Sequence, residues 1–229
     1  MPAKNTQKTY VENGYYHIYN RGVEKRAIFS DPQDYSVFLS YLKEYLSPKD
    51  EAALFEKLSE KSLSWKEKEK AQRLLRLNNF FGLIGLISFA LMPNHFHLLI
   101  KQTESNNIDS LTRSLMTRYV VYFNRKNDRI GPLFQGVYKA VLVQTEEQLL
   151  HLSRYIHQNP LKLGGGARKH QELFTSLPEF LGKRKTEWVK PDDILSRFSK
   201  TNPNLSYHSF VEETEEIEPI QDLLLEDLD

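Results

Sequence analysis

The chain of 229 residues contains no cysteine. That excludes disulfides and every metal site built on thiolates. No apolar run is long enough to cross a bilayer. The longest, from Phe80 to Pro93, is interrupted by Gly82, Gly85 and Ser88, short of the roughly 18–20 apolar residues a span requires. The stretch MPAKNTQKTY at the start lacks the apolar core of a signal peptide. These absences point to a cytoplasmic protein with no membrane contact. What is present suits a folded domain: the hydrophobic fraction of 40% can build a core, and charged residues make up 27%. The length fits one large domain, or one domain with an appendage.

Charge is unevenly placed. The formal net charge is +1, yet residues 212–229 hold nine acidic residues and no Lys or Arg. The rest of the chain carries 31 Lys and Arg against 21 Asp and Glu, a body of about +10. Such a body suits a polyanionic partner such as nucleic acid. The plainer alternative is a solvated surface with an acidic tail that aids solubility.

Residues 15–20, YYHIYN, are aromatic and β-branched and read as a strand. A basic loop with Arg21, Lys25 and Arg26 follows. Asp31 before Pro32 is a helix-start signal, and Tyr35, Phe38, Leu39, Leu42 and Leu46 continue at helical spacing. Residues 48–77 mix both charge signs with apolar positions and read as one or two inserted amphipathic helices, a plain surface hairpin or, alternatively, a contact for DNA. FFGLIGLISFALM reads as a buried strand, and HFHLLIK continues it or pairs with it after a turn at Pro93–Asn94. Residues 106–127 read as a helix with Arg113, Arg118, Arg125 and Lys126 on its cationic side. GPLFQGVYKAVLVQ reads as a strand. Thr145 with Gln148 forms a capping-box pattern opening a helix that Pro160 ends. This order predicts an α+β domain with an antiparallel sheet and helices on one or both faces. Gly164 to Gly166 read as a hinge, residues 187–211 as a small helical appendage, and Leu223 to Leu225 as an apolar patch in the acidic tail.

The strand ALMPNHFHLLI sets His95 and His97 on one face. Two imidazoles there could hold a metal ion or could be ordinary polar residues of a half-exposed strand. On the helix 146–158, His151, Tyr155 and Asn159 form a stripe at i, i+4 and i+8. Alone it reads as a core tyrosine followed by a polar cap. Together the two imidazoles and an amide oxygen give three ligands with open positions, a set that can hold Mg²⁺ or Mn²⁺ beside a substrate phosphate. Tyr155 could then present its hydroxyl to a polarised phosphodiester, although a free phenol, with a pKa of about 10, is a weak nucleophile without help.

YHIYNRG, LMPNHFHLLI, YFNRKNDRIGPLFQGVYKAVLV and LSRYIHQNP resemble, in order and spacing, the REP-associated tyrosine transposases of the HUH single-tyrosine superfamily. The resemblance spans residues 13–165 apart from 48–77. It implies a ferredoxin-like fold, His95 and His97 as paired metal ligands, Asn159 as the amide ligand and Tyr155 as the nucleophile. It further implies cleavage of single-stranded DNA next to hairpins, with a 5′-phosphotyrosine and a free 3′-hydroxyl. Arg21, Lys25, Arg26, Arg118, Arg125 and Lys139 are the candidate DNA contacts, and His151 a candidate support for Tyr155. The expected division is a nuclease domain over 1–165, an appendage over 166–211 and an acidic tail over 212–229. The REP-associated group implies a monomer, the insertion-sequence relatives a homodimer. The rival readings are a hairpin-binding protein that no longer cuts and a small-molecule metallophosphoesterase. The second leaves Tyr155 and the basic body without a role.

Overall fold

The computed structural model describes residues 8, 10–162, 174–213 and 217–224. The expected hinge at Gly164 to Gly166 lies outside the described residues, as does Leu225. Four strands, β1 (Tyr15–Arg21), β2 (Ile84–Met92), β3 (His95–Gln102) and β4 (Lys139–Val143), form one antiparallel sheet in the order β2-β3-β1-β4. Helix α1 (Pro32–Leu46) joins β1 to β2, and α4 (Asn107–Lys126) joins β3 to β4. Two interleaved β-α-β units with this strand order make the ferredoxin-like α+β arrangement. Helices α2 (Glu51–Ser59) and α3 (Trp65–Arg76) form the inserted hairpin, and α5 (Glu146–Gln158) follows β4.

Alternation along each strand divides the buried residues between two cores. Tyr16, Ile18, Phe89, Leu91, Phe96, Leu98 and Ile100 face α1 and α4. Ile87, Ala90, Leu99 and Val143 face α5 and the C-terminal segments. With both faces covered, β2 and β3 read as continuous apolar runs. A bulge between Leu86 and Ser88 shifts the alternation of β2, which puts Leu86 and Phe89 in one core and Ile87 in the other.

Asp31 caps α1, accepting from the amides of Gln33 and Asp34, with Pro32 at the first helical position. The buried Asp34 carboxylate accepts from Lys126 Nζ at 2.6 Å and from the Tyr122 hydroxyl at 2.9 Å, which ties α1 to α4. Burial together with Asp34 pushes the Tyr122 phenol up to about 12.

Two strand expectations shorten. The first begins at Ile84, because the chain from Phe80 turns through Gly82 at a φ of 78°. In the other, Gly131 and Gly136 at φ of 95° and 80° leave Leu133–Tyr138 irregular, and only Lys139–Val143 forms ladder. At Thr145 the hydroxyl accepts from the Gln148 amide as the capping pattern implies, but the Gln148 side chain accepts from Gln144 N, one residue earlier than the reciprocal bond requires.

The C-terminal residues complete the second face. Ile194, Tyr207, Val211, Ile220, Leu223 and Leu224 are buried together with α5 and the sheet. Residues near 175–190 also cover the outer edge of β2: Ser176 N donates to Phe89 O and Lys190 N to Leu86 O. That occupies backbone groups an edge strand would otherwise expose.

Candidate active site

The second face of the sheet has a polar end. Register sets Tyr19 opposite His97 and Arg21 opposite His95 across β1 and β3, and sets Tyr19 opposite Lys139 across β1 and β4. These side chains, with Gln135, line a small pocket. The imidazoles of His95 and His97 stand edge to face with centroids 4.9 Å apart. Helix α5 lies over this end of the sheet and carries Tyr155, whose ring meets His97 edge-on at 5.5 Å. Tyr155 is 5% exposed and His97 is fully buried.

Asn159 begins the 3₁₀ turn Asn159–Lys162 that follows α5. Its side-chain Nδ2 donates to Tyr155 O at 3.1 Å. The amide nitrogen is thereby fixed at the helix end, and Oδ1 is the atom of this side chain that could hold a metal ion. His95 Nδ1 lies 2.7 Å from Asn94 Oδ1, and Asn94 Nδ2 donates in turn to Lys25 O. An amide oxygen only accepts, so a neutral His95 carries its proton on Nδ1 and leaves the lone pair on Nε2. Among the described residues no three His, Cys, Asp or Glu side chains converge on one point. The residues that could hold a divalent ion here are the two imidazoles and the amide oxygen of Asn159, a set that leaves positions for phosphate and water. That neutral set fits Mn²⁺ and, less tightly, Mg²⁺.

The cations divide. Arg21 and Lys139 line the pocket, and Arg21 Nε donates to Gln135 Oε1 at 2.6 Å, which holds the guanidinium at its rim. Lys25 is exposed in the loop after β1, and Arg26 pairs with Glu24 at 2.7 Å. Arg125 is exposed near the end of α4. Arg118 is not at this site: it pairs with Glu44 at 2.5 Å and stacks on Tyr41 between α1 and α4, on the opposite face of the sheet. His151 lies one turn before Tyr155, with Nδ1 accepting from Arg154 and its ring edge-on to Phe210. Those contacts attach it to the C-terminal packing.

Sequence reasoning missed His17. It is fully buried, its ring stacks on Tyr19 and His97, and its Nε2 lies 2.9 Å from His97 Nδ1. The signal was available in YHIYNRG, where His17 shares a strand face with Tyr19 and Arg21. What the local sequence could not give was the pairing of β1 with β3.

Residues 61–159 match the family model "Transposase IS200 like". No curated protein matches the chain. Two solved structures are similar to it. One is a REP-associated tyrosine transposase bound to a REP hairpin, with 9% identity over 81% of this chain and 96% of that one and a TM-score of 0.47. The other is a transposase candidate from Deinococcus radiodurans R1, with 14% identity over 66% of this chain and 95% of that one and a TM-score of 0.35. The segment that matches the family model contains His95, His97, Tyr155 and Asn159, so the similarity to IS200-like transposases covers the candidate site residues.

Proposed function

We propose that the protein is a metal-dependent single-stranded DNA endonuclease and transposase that cuts and rejoins DNA next to hairpins. The observation that carries this is the ring of Tyr155 set against His97, on the strand face that also bears His95. A bound Mg²⁺ or Mn²⁺ ion would polarise the scissile phosphate and offset its developing charge. Arg21 and Lys139 hold the flanking backbone phosphates, as cations do largely without regard to sequence. Tyr155 Oη attacks phosphorus: the Oη–P bond forms, the P–O3′ bond breaks, the phenol proton passes to solvent and the departing 3′ oxygen takes one up. The product is a 5′-phosphotyrosine with a free 3′-hydroxyl. The ester is exchanged rather than hydrolysed, so a 3′-hydroxyl attacking in reverse rejoins the strand. Tyr155 meets His97 of its own chain, which supports a site complete in one monomer. A homodimer with sites completed in trans is the alternative, and sedimentation separates the two.

The test uses a labelled hairpin with a single-stranded flank and Mn²⁺. The wild-type protein is expected to form a denaturation-resistant adduct, which Tyr155→Phe loses while still binding the hairpin. His95→Ala and excess EDTA should likewise abolish the nick. An adduct from the Phe variant, or DNA mapped by mass spectrometry to another tyrosine, overturns the assignment. Tight hairpin binding by the wild type with no adduct would leave the non-cutting binding protein as the function.

A further inference from the structure

The pocket residues leave one arrangement unexplained. His17 is fully buried in β1, outside the segment that matches the family model, and stands between His97 and the C-terminal 3₁₀ turn Glu218–Leu223. Its Nδ1 lies 2.9 Å from the carbonyl oxygen of Leu223, and its Nε2 lies 2.9 Å from His97 Nδ1. A carbonyl oxygen can only accept. In the neutral pair His17 therefore donates from Nδ1 to Leu223 O and presents the Nε2 lone pair to His97. His97 then has one consistent choice: it donates from Nδ1 and carries its own lone pair on Nε2.

We infer that the carbonyl of Leu223, acting through His17, fixes the tautomer and ring orientation of His97, and that His17 is a positioning residue for metal binding. The inference rests on the site reading above, in which His97 is a ligand. The physical need for such a residue is plain. A neutral imidazole in water divides its proton between two nitrogens, and a ligand must offer the lone pair on the side that faces the ion. Hydrogen bonds from the far nitrogen of a ligating histidine set that choice and raise its basicity. Asn94 does this for His95 from the adjacent position in sequence. For His97 the acceptor is another imidazole, held from a point 206 residues further along the chain. The far acceptor is itself anchored, since Ile220, Leu223 and Leu224 around it are buried in the second core. The acidic C-terminal region thus contributes a backbone atom to the order of the site, in addition to its charge.

Two variants separate positioning from packing. His17→Leu fills the space and removes both hydrogen bonds. His17→Gln offers an amide oxygen to His97 Nδ1–H and an amide N–H to Leu223 O. Histidine-selective ¹⁵N spectra of the metal-free protein read the tautomer directly. In the wild type His97 is expected as the Nδ1–H form. His17→Leu should shift it toward the Nε2–H form that prevails in free imidazole and weaken Mn²⁺ binding by about 10–100-fold, the usual effect of losing such a partner. His17→Gln should restore both the tautomer and most of the affinity. Hairpin binding without metal should be unchanged in both variants, which confirms that each is folded. A wild-type His97 in the Nε2–H form, or equal Mn²⁺ affinity in wild type and His17→Leu, overturns the inference. Absence of Mn²⁺ binding by the wild type would instead overturn the metal site itself, while the tautomer spectra would still decide whether His17 sets His97.

Discussion

Single residues in this protein are governed by burial more than by type. His157, on α5 two residues beyond Tyr155, contacts the Tyr207 hydroxyl at 2.7 Å and Ser176 Oγ at 2.8 Å. Burial pushes its imidazole down to about 3. The unfolded chain binds a proton near pH 6.5 where the folded one does not. The contribution of neutral His157 to stability is therefore whole above about pH 6.5 and is lost as pH falls toward 3, at up to about 1.4 kcal/mol per pH unit. Urea unfolding at pH 7, 6 and 5 should show this slope, in a window above the range where ordinary carboxylates titrate. His157→Gln should be less stable at pH 7 by about 1–3 kcal/mol, the cost of leaving buried partners imperfectly satisfied, yet show a flatter profile below pH 6.5. Equal slopes in the two proteins would mean that other groups carry the acid sensitivity. Legibility follows the same division. His95, His97, Tyr155 and Asn159 stand out because their spacing within one strand and one helix already sets them on a face. His17 and His157 do not, since their partners lie 80 and 50 residues away, at His97 and Tyr207.

At the scale of elements, periodicity and caps locate each long helix and the four strands, because those signals are local. Asp31–Pro32 opens α1 and Pro160 follows α5 as the sequence implies. The strand ends were harder to read, since positive φ at Gly82, Gly131 and Gly136 ends the ladder in stretches whose apolar content continues. The inserted hairpin is the element most weakly joined to the fold. Of α2 and α3 only Ala71 is buried, and Trp65 is 74% exposed. The chain meets itself where the insert leaves and returns: Asn79 Nδ2 donates to Ser47 O at 2.8 Å, and Phe80 N to Tyr45 O at 2.8 Å. Replacing residues 50–76 by a short Gly/Ser linker should thus change stability by no more than about 1–2 kcal/mol. For a chain of this size that is about 2–4 °C in Tm per kcal/mol. Calorimetry checks the first expectation. Nicking by the shortened protein checks whether the hairpin touches DNA, and retention at the wild-type rate is expected.

For the whole molecule the decisive relation is between the basic body and the acidic C-terminal region. From sequence alone that region reads as an acidic tail whose apolar patch either stays disordered or docks as a helix. The structure docks it as a 3₁₀ turn, with Ile220, Leu223 and Leu224 buried against α5 and the sheet, while Arg154, buried on α5, pairs with Glu213 at 3.3 Å. Ile217, Ile220, Leu223 and Leu224 recur three to four residues apart, but in a segment so acidic that spacing alone does not say whether it docks. Deleting the region would remove core as well as charge and could not isolate the electrostatics. Neutralising exposed positions can. Glu218 and Asp222 are exposed on the turn that packs against β4, the strand that carries Lys139. If the protein binds DNA as proposed, their carboxylates would lower the positive potential that the backbone meets on approach. Glu218→Gln combined with Asp222→Asn leaves the buried apolar side chains in place and raises the net charge by two. Binding of single-stranded DNA should tighten by about 2–5-fold at 50 mM salt. The gain should fade by about 0.3 M, because the Debye length there drops below the roughly 10 Å of 0.1 M salt. Fluorescence anisotropy across that range measures both affinities. A gain that persists at high salt would point to a local rearrangement of the turn, and no gain at 50 mM would mean that the acids lie outside the path of the DNA.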